Sequence, residues 1–263
     1  MFLLHSFAFL FGLVVGSFLN ALIYRLEKGD SVLRGRSYCP HCKHTLSWQD
    51  LIPVVSFLLL RGKCRYCKKR ISMQYPIVEI STGLIFLLMF KFQISSLNQV
   101  VSIEILNLFY FWTVASLLIV LFVYDLKHYI LPDKILFPAI GLVLFWDLLA
   151  RGSLGEGGGF VVSGFSAASF FLAIFLFSRG RAMGFGDVKL AFFMGLFLGW
   201  PNILVALFCA FMAGAAVGIV LIVMKKKGMK SEVPFGPFLI AGTFVALFFG
   251  KLLVDRYIGF LLT

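Results

Sequence analysis

The sequence predicts an all-α polytopic membrane protein, with about eight transmembrane helices and one sizeable hydrophilic loop between the first and second. Three observations carry that prediction. Of the 263 residues, 60% are hydrophobic and only 14% charged, where soluble chains average about half and about a quarter. Several apolar runs approach the ~20 residues that cross a bilayer. The basic residues crowd into alternate connecting segments, as they do in membrane proteins.

The spans read, in order, as 2–24, 77–93, 104–124, 134–150, 160–178, 188–200, 202–224 and 235–255. The first has no basic stretch before it and no small-x-small cleavage site after it, so it reads as a retained helix and not a signal peptide. The sixth is short, and "GWPN" (199–202) forms a tight turn into the seventh. This organisation divides the chain into helix 1 (1–24), a cytoplasmic loop (25–76) and a transmembrane core of helices 2–8 (77–263). No internal repeat is visible. "GEGGGF" (155–160) has no strand before it and reads as a flexible outer connector, not a cofactor-cradling loop.

Net charge is +12, and its placement explains it better than a nucleic-acid partner does. Loop 25–76 holds eleven Lys and Arg, and the segments 125–134, 179–189 and 225–234 hold two, three and four. The alternate segments hold only Lys91, Arg151, Lys251 and Arg256. Loop 25–76 is therefore expected in the cytoplasm and both termini outside. The basic side chains would then meet anionic inner-leaflet lipid.

Four of the five cysteines form two pairs, "CPHC" and "CRYC", at Cys39, Cys42, Cys64 and Cys67. Two such knuckles complete a closed tetrahedral thiolate shell, the pattern of a structural zinc. A loop with few large apolar side chains needs a staple of this kind. Disulfides are the competing reading, disfavoured in a reducing cytoplasm, and His41 and His44 are possible alternative ligands. Lone Cys209 lies in an apolar run and reads as a small buried hydrophobe.

Most of the twelve acids fall in loops or at helix ends. Asp125, in "LFVYDLKHYILPD" (121–133), and Asp187, in "MGFGDVKLA" (183–191), instead join a cytoplasmic helix end directly to an apolar run. An ionisable group there points to function. Two neighbouring carboxylates share one proton. The ionised one can then activate water while the protonated one hydrogen-bonds a peptide carbonyl. Gly184 and Gly186 would let backbone bring Asp187 close to a substrate. The competing reading makes both acids interfacial caps or partners of Lys127 and Lys189. Asp133 reads as the N-cap of the fourth span, or as a third carboxylate. Glu79 reads as a helix-start acid or as a group facing the site, and the sequence leaves both open.

These stretches together resemble the prepilin peptidases, the type IV prepilin leader peptidase and N-methyltransferase family. "GSFLNALIYRL" (16–26) resembles that family's opening motif, and residues 39–79, from "CPHC" to "YPIVE", resemble its zinc loop. "YDLKHYILPD" and "GFGDVKLAFFMGLFLGW" resemble its two aspartate motifs, and "PFGPFLIAG" (234–242) its last. Tyr124 before the first aspartate is the one departure. The resemblance implies a GxGD aspartic protease of the bacterial inner membrane, active at the cytoplasmic face, with Asp125 and Asp187 catalytic and the four cysteines binding Zn2+. It implies prepilin or pseudopilin precursors as substrates, cut after a glycine that precedes a hydrophobic helix. It also implies N-methylation from S-adenosylmethionine, for which no glycine fingerprint marks a binding site. The rival readings are a preflagellin- or presenilin-like protease without methyltransferase activity, and a zinc-containing membrane scaffold.

Overall fold

A computed structural model describes residues 2–31, 35–94, 101–151, 154–181, 183–224 and 233–261. The basic segment 225–230 and Glu232 lie outside the described residues. Among the described residues the chain is helical throughout, apart from turns and two isolated bridges in the hydrophilic loop. The helices are α1 (Phe2–Lys28), α2 (Val55–Leu59), α3 (Gln74–Ile94), α4 (Val101–His128), α5 (Asp133–Arg151), α6 (Leu154–Phe177), α7 (Phe185–Leu198), α8 (Asn202–Val223) and α9 (Gly236–Leu261). Eight long helices thus stand where the sequence predicts eight spans. Six of them, α1, α3, α4, α6, α8 and α9, are long and apolar enough to cross a membrane. Helix α7 has 14 residues, only about 21 Å at 1.5 Å per residue, against a hydrocarbon core of about 30 Å.

The chain divides into two compact units, 1–120 and 121–263. In the first, α1 and α3 cross where small residues let the backbones touch. A Cβ on Gly12 would come within 2.7 Å of Gly83 Cα, and one on Gly16 within 2.7 Å of Glu79 Cα. Such contacts replace the hydrophobic drive that helices lack inside lipid. Trp112 of α4 stacks on Phe86 at 4.8 Å and donates its indole N–H to the Phe86 carbonyl at 3.1 Å. Leu3, Phe7, Leu10, Val14 and Phe18 stay exposed along one stripe of α1, at the three-to-four spacing of a helix face.

In the second unit α7 is the centre. It contacts α5, α6, α8 and α9 and is buried on nearly every side, as expected of a helix that is apolar all round. Gly195 meets Gly164 of α6 so closely that a Cβ would lie 2.6 Å from the Gly164 Cα. Gly242 of α9 meets the Ala206 carbonyl of α8 in the same way.

Two expectations are corrected here. Residues 155–160 are not a connector: they form the first turns of α6. Glycines are tolerated there because a bilayer forces backbone polar groups into internal hydrogen bonds. Asp133 is not the N-cap of α5 but its first residue. The Pro132 carbonyl accepts from Ile135 and Leu136, and Asp133 instead ion-pairs with Lys189.

Candidate functional site

Asp125 lies in the last turn of α4 and Asp187 in the first turn of α7. Both are buried, with 4% and 8% of their surface exposed. Gly186, next to Asp187, and Gly236, set against Asp125, both lie on Leu131, so the fold brings the two predicted acids into one neighbourhood. The local sequence explains each position. After α4, Tyr129 turns into the left-handed region (φ 58°), its N–H returning to the Asp125 carbonyl at 2.9 Å. Gly184 caps α7 in extended backbone, and the Asp187 N–H returns to the Gly184 carbonyl at 3.2 Å.

No cation neutralises this pair among the described residues. Lys189, two residues after Asp187, pairs with Asp133 and lies over the Phe137 and Phe185 rings at 5.3 and 5.6 Å. The competing reading of Lys189 as the partner of a site aspartate is not met. Asp125 also stands at the end of a helix where the dipole disfavours negative charge. Helix α9 begins beside it, with Gly236 set against the Asp125 carboxylate.

Gly236 is a site residue to which the sequence reading gave no role. A Cβ there would collide with Asp125 Oδ2. Leu131, buried in the α4–α5 turn, fills the space between, 3.3 Å from a Cβ on Gly186 and 3.5 Å from one on Gly236. The signal was present in "PFGPF", a glycine between two prolines at a helix start, where backbone must approach something closely.

The cysteines form a second, separate constellation in the first unit. The four Sγ atoms lie within 4.8 Å of one another, with Cys39 and Cys67 3.9 Å apart. Tetrahedral zinc with Zn–S bonds of about 2.3 Å requires sulfur–sulfur edges of about 3.8 Å, so the donor set fits that ion. His41 and His44 are not among the clustered donors, and the His44 ring packs on Tyr66 at 3.7 Å.

The thiols also compete for ionisation. Burial pushes Cys39 up, but the backbone N–H groups of Cys42 and His41 bring it down to about 7. For Cys42, the His44 backbone N–H favours the thiolate, but burial and the Cys39 and Cys67 sulfurs raise it to about 11. Four thiolates at this spacing need a divalent cation among them.

The two knuckles share one hairpin backbone. Cys39 N–H bonds His44 O at 2.9 Å and Cys64 N–H bonds Lys69 O at 2.8 Å. Tyr38 bridges Thr45 as Lys63 bridges Arg70. Lys43 and Lys68 both take φ 59°.

Asp50, assigned by sequence to an ordinary loop, joins the second knuckle to the turn after the first. Its carboxylate accepts from Arg65 Nε at 2.7 Å, Tyr66 OH at 3.2 Å and Ser47 Oγ at 2.9 Å. Burial pushes its carboxyl up, but the Arg65 and Ser47 hydrogen bonds prevail and hold it below the usual carboxylate range. "SWQD" (47–50) carried the signal, a capping-box spacing.

Comparison with known proteins places these motifs. Residues 10–92 match the bacterial peptidase A24 N-terminal domain, and residues 112–219 match the type IV leader peptidase family. The chain is 32% identical to the prepilin leader peptidase/N-methyltransferase of Bacillus subtilis, over 96% of this chain and 97% of the relative. It is 30% identical to the one from Aeromonas hydrophila, over 96% and 93%. With that of Legionella pneumophila the identity is 31%, over 95% and 93%. No solved structure matches the chain.

Proposed function

The chain belongs to the type IV leader peptidase family, and from that premise we propose that it cleaves leaders from prepilin-like precursors with Asp125 and Asp187 and N-methylates the new terminus. The observation that carries the cleavage reading is the carboxylate pair itself. It is buried in one unit, has no cation partner among the described residues, and has Gly236 of α9 set directly against Asp125.

An ionised carboxylate has about four lone-pair sites, enough to hold a water. One carboxylate removes a proton from that water as its oxygen attacks the scissile carbonyl. The other, protonated, donates a hydrogen bond to the carbonyl oxygen as negative charge develops there. A proton then passes to the departing amine. The pair acts as a unit, and neither residue is assigned one fixed protonation state. The helix starts at Gly184 and Gly236 hold the acids in place, while Leu131 and the apolar side chains of α7 restrict water. The scissile peptide would come from a precursor with a basic leader and a hydrophobic helix, cut after a glycine at the inner membrane surface.

Cys39, Cys42, Cys64 and Cys67 would hold a structural zinc, which supplies a cross-link between the two hairpins. S-adenosylmethionine would supply the methyl group for the freed amine, which must be deprotonated and held in line with the donor carbon. The protein is read as a multi-pass inner-membrane protein with its termini outside and the loop and carboxylates at the cytoplasmic face. The division of basic residues, twenty against four, supports that orientation.

The test is intact-mass spectrometry of a pilin-like precursor co-expressed with the protein. The expected product lacks its leader and carries one added methyl group. Cleavage without methylation would reduce the function to proteolysis alone. An intact precursor beside accumulated protein would overturn the reading.

A further inference from the structure

The hydrophilic loop contains a short segment unlike the rest of it. Between the hairpins, a 3-10 turn (Trp48–Leu51) leads through Pro53 into α2. This segment presents Trp48, Leu51, Ile52, Val55, Leu58 and Leu59 outward, with Trp48, Leu58 and Leu59 exposed by 73%, 67% and 79%. A contiguous apolar surface next to a basic hairpin is unusual on a water-facing loop and marks a contact.

Its depth is fixed by a hydrogen bond. Val54 takes φ 61°, a strained conformation for a β-branched residue. Its N–H donates to the buried Glu79 carboxylate of α3 at 2.7 Å. Glu79 lies five residues beyond Gln74, where both α3 and its membrane-length apolar stretch begin. That is about 7–8 Å along the helix at 1.5 Å per residue, and interfacial helices sit about 5–10 Å into the headgroup–acyl boundary. Glu79 lies past the first turn of α3 and holds the loop against that helix. The following hairpin carries Arg61, Lys63, Arg65, Lys68, Lys69 and Arg70, the charge that meets anionic headgroups.

We propose that residues 48–60 form an interfacial anchor, with Trp48, Val55, Leu58 and Leu59 seated in the lipid of the membrane surface and the 61–70 hairpin on its anionic headgroups. This rests on reading the chain as membrane-spanning, and it goes beyond the enzymatic proposal by naming what the loop rests on. The anchor would hold the cysteine hairpins at the membrane surface, where a precursor's leader emerges from the bilayer.

The test uses the full chain in phosphatidylcholine–phosphatidylglycerol vesicles. Trp48 emission is isolated as the difference between the wild-type chain and Trp48→Phe. Quenching by phosphatidylcholine brominated at acyl carbons 6 and 7 is compared with quenching by aqueous iodide. Interfacial seating predicts strong bromolipid quenching and weak iodide quenching, as for a side chain below the headgroups. Leu58→Ser with Leu59→Ser should reverse that preference, and omitting phosphatidylglycerol should raise iodide access. Strong iodide quenching with no bromolipid effect would overturn the proposal. Protection from both quenchers would also overturn it, by showing that protein covers the patch. Brominated lipid fills both leaflets and the readout needs no turnover, so the result does not depend on orientation or on the enzymatic reading.

Discussion

The cysteine loop and the carboxylate pair hold their polar groups by opposite means. In the loop, two short hairpins present the thiols through bonds between near neighbours, such as Cys39 to His44 and Cys64 to Lys69. A few side-chain bonds to Asp50 then join them. At the carboxylates nothing is local except the Gly184 cap. Asp125 comes from the end of α4, Asp187 from the start of α7, and Gly236 from the start of α9. A local site can be loosened without disturbing the helices. A site assembled from three helix ends depends on their spacing to within an atom.

That difference orders the expected effects of substitution. The largest, short of removing an aspartate, is at Gly236. A methyl there must displace Asp125 Oδ2, and misplacing a reacting group by about 1 Å can cost about 100-fold in rate. Gly236→Ala should therefore lower precursor cleavage by about that factor while zinc content stays unchanged. Metal analysis beside a cleavage assay reads both, and unimpaired cleavage would break the contrast between the two regions.

Next comes the metal. Zinc should be present at about one per chain. Cys64→Ser or strong chelation should release it and open residues 39–70 to protease, because ligation supplies much of such a loop's folding energy. Cleavage of a precursor should fall less than it does in Gly236→Ala. An equal fall would mean that the loop and the carboxylates do not act separately.

Asp50→Asn should be milder, costing about 1–3 kcal/mol of loop stability through weakened charge-assisted hydrogen bonds. Because the folded carboxyl titrates below its unfolded value, its contribution is complete above about pH 4 and disappears as pH falls through the lowered folded value. Protease sensitivity of the wild-type loop should rise in that acid window, and the Asp50→Asn loop should lack that step.

The smallest effect is expected at Asp133. Its side chain is half exposed (53%) and paired with Lys189, an arrangement worth about 1 kcal/mol or less. Asp133→Asn should leave cleavage within a few-fold of wild type. A complete loss would make Asp133 a third carboxylate of the reaction, the alternative its sequence position left open.

What could be read from sequence follows the same division. The helices were legible because a spanning segment must satisfy its own backbone, so apolar length alone announces it. The four thiols were legible because ligand spacing is a local property. The aspartates were legible through the motifs around them, but their surroundings were not. Nothing in "PFGPF" says that Gly236 meets Asp125, since that contact is made by the packing of α9. Asp50 and Glu79 were set apart by the donors their carboxylates accept from, Arg65 and Val54, and position along the chain does not record that. Residues 155–160 misled because glycine signals a loop in water and is compatible with a helix in lipid.

The central claim is that the chemistry belongs to the two aspartates of the second unit and not to the metal loop. The most direct measurement is precursor cleavage by purified Asp125→Asn and Asp187→Asn proteins, with zinc content measured in the same samples. The account predicts about one zinc per chain and no leader-free product from either variant. Substantial cleavage by either variant, with the zinc still in place, would contradict it.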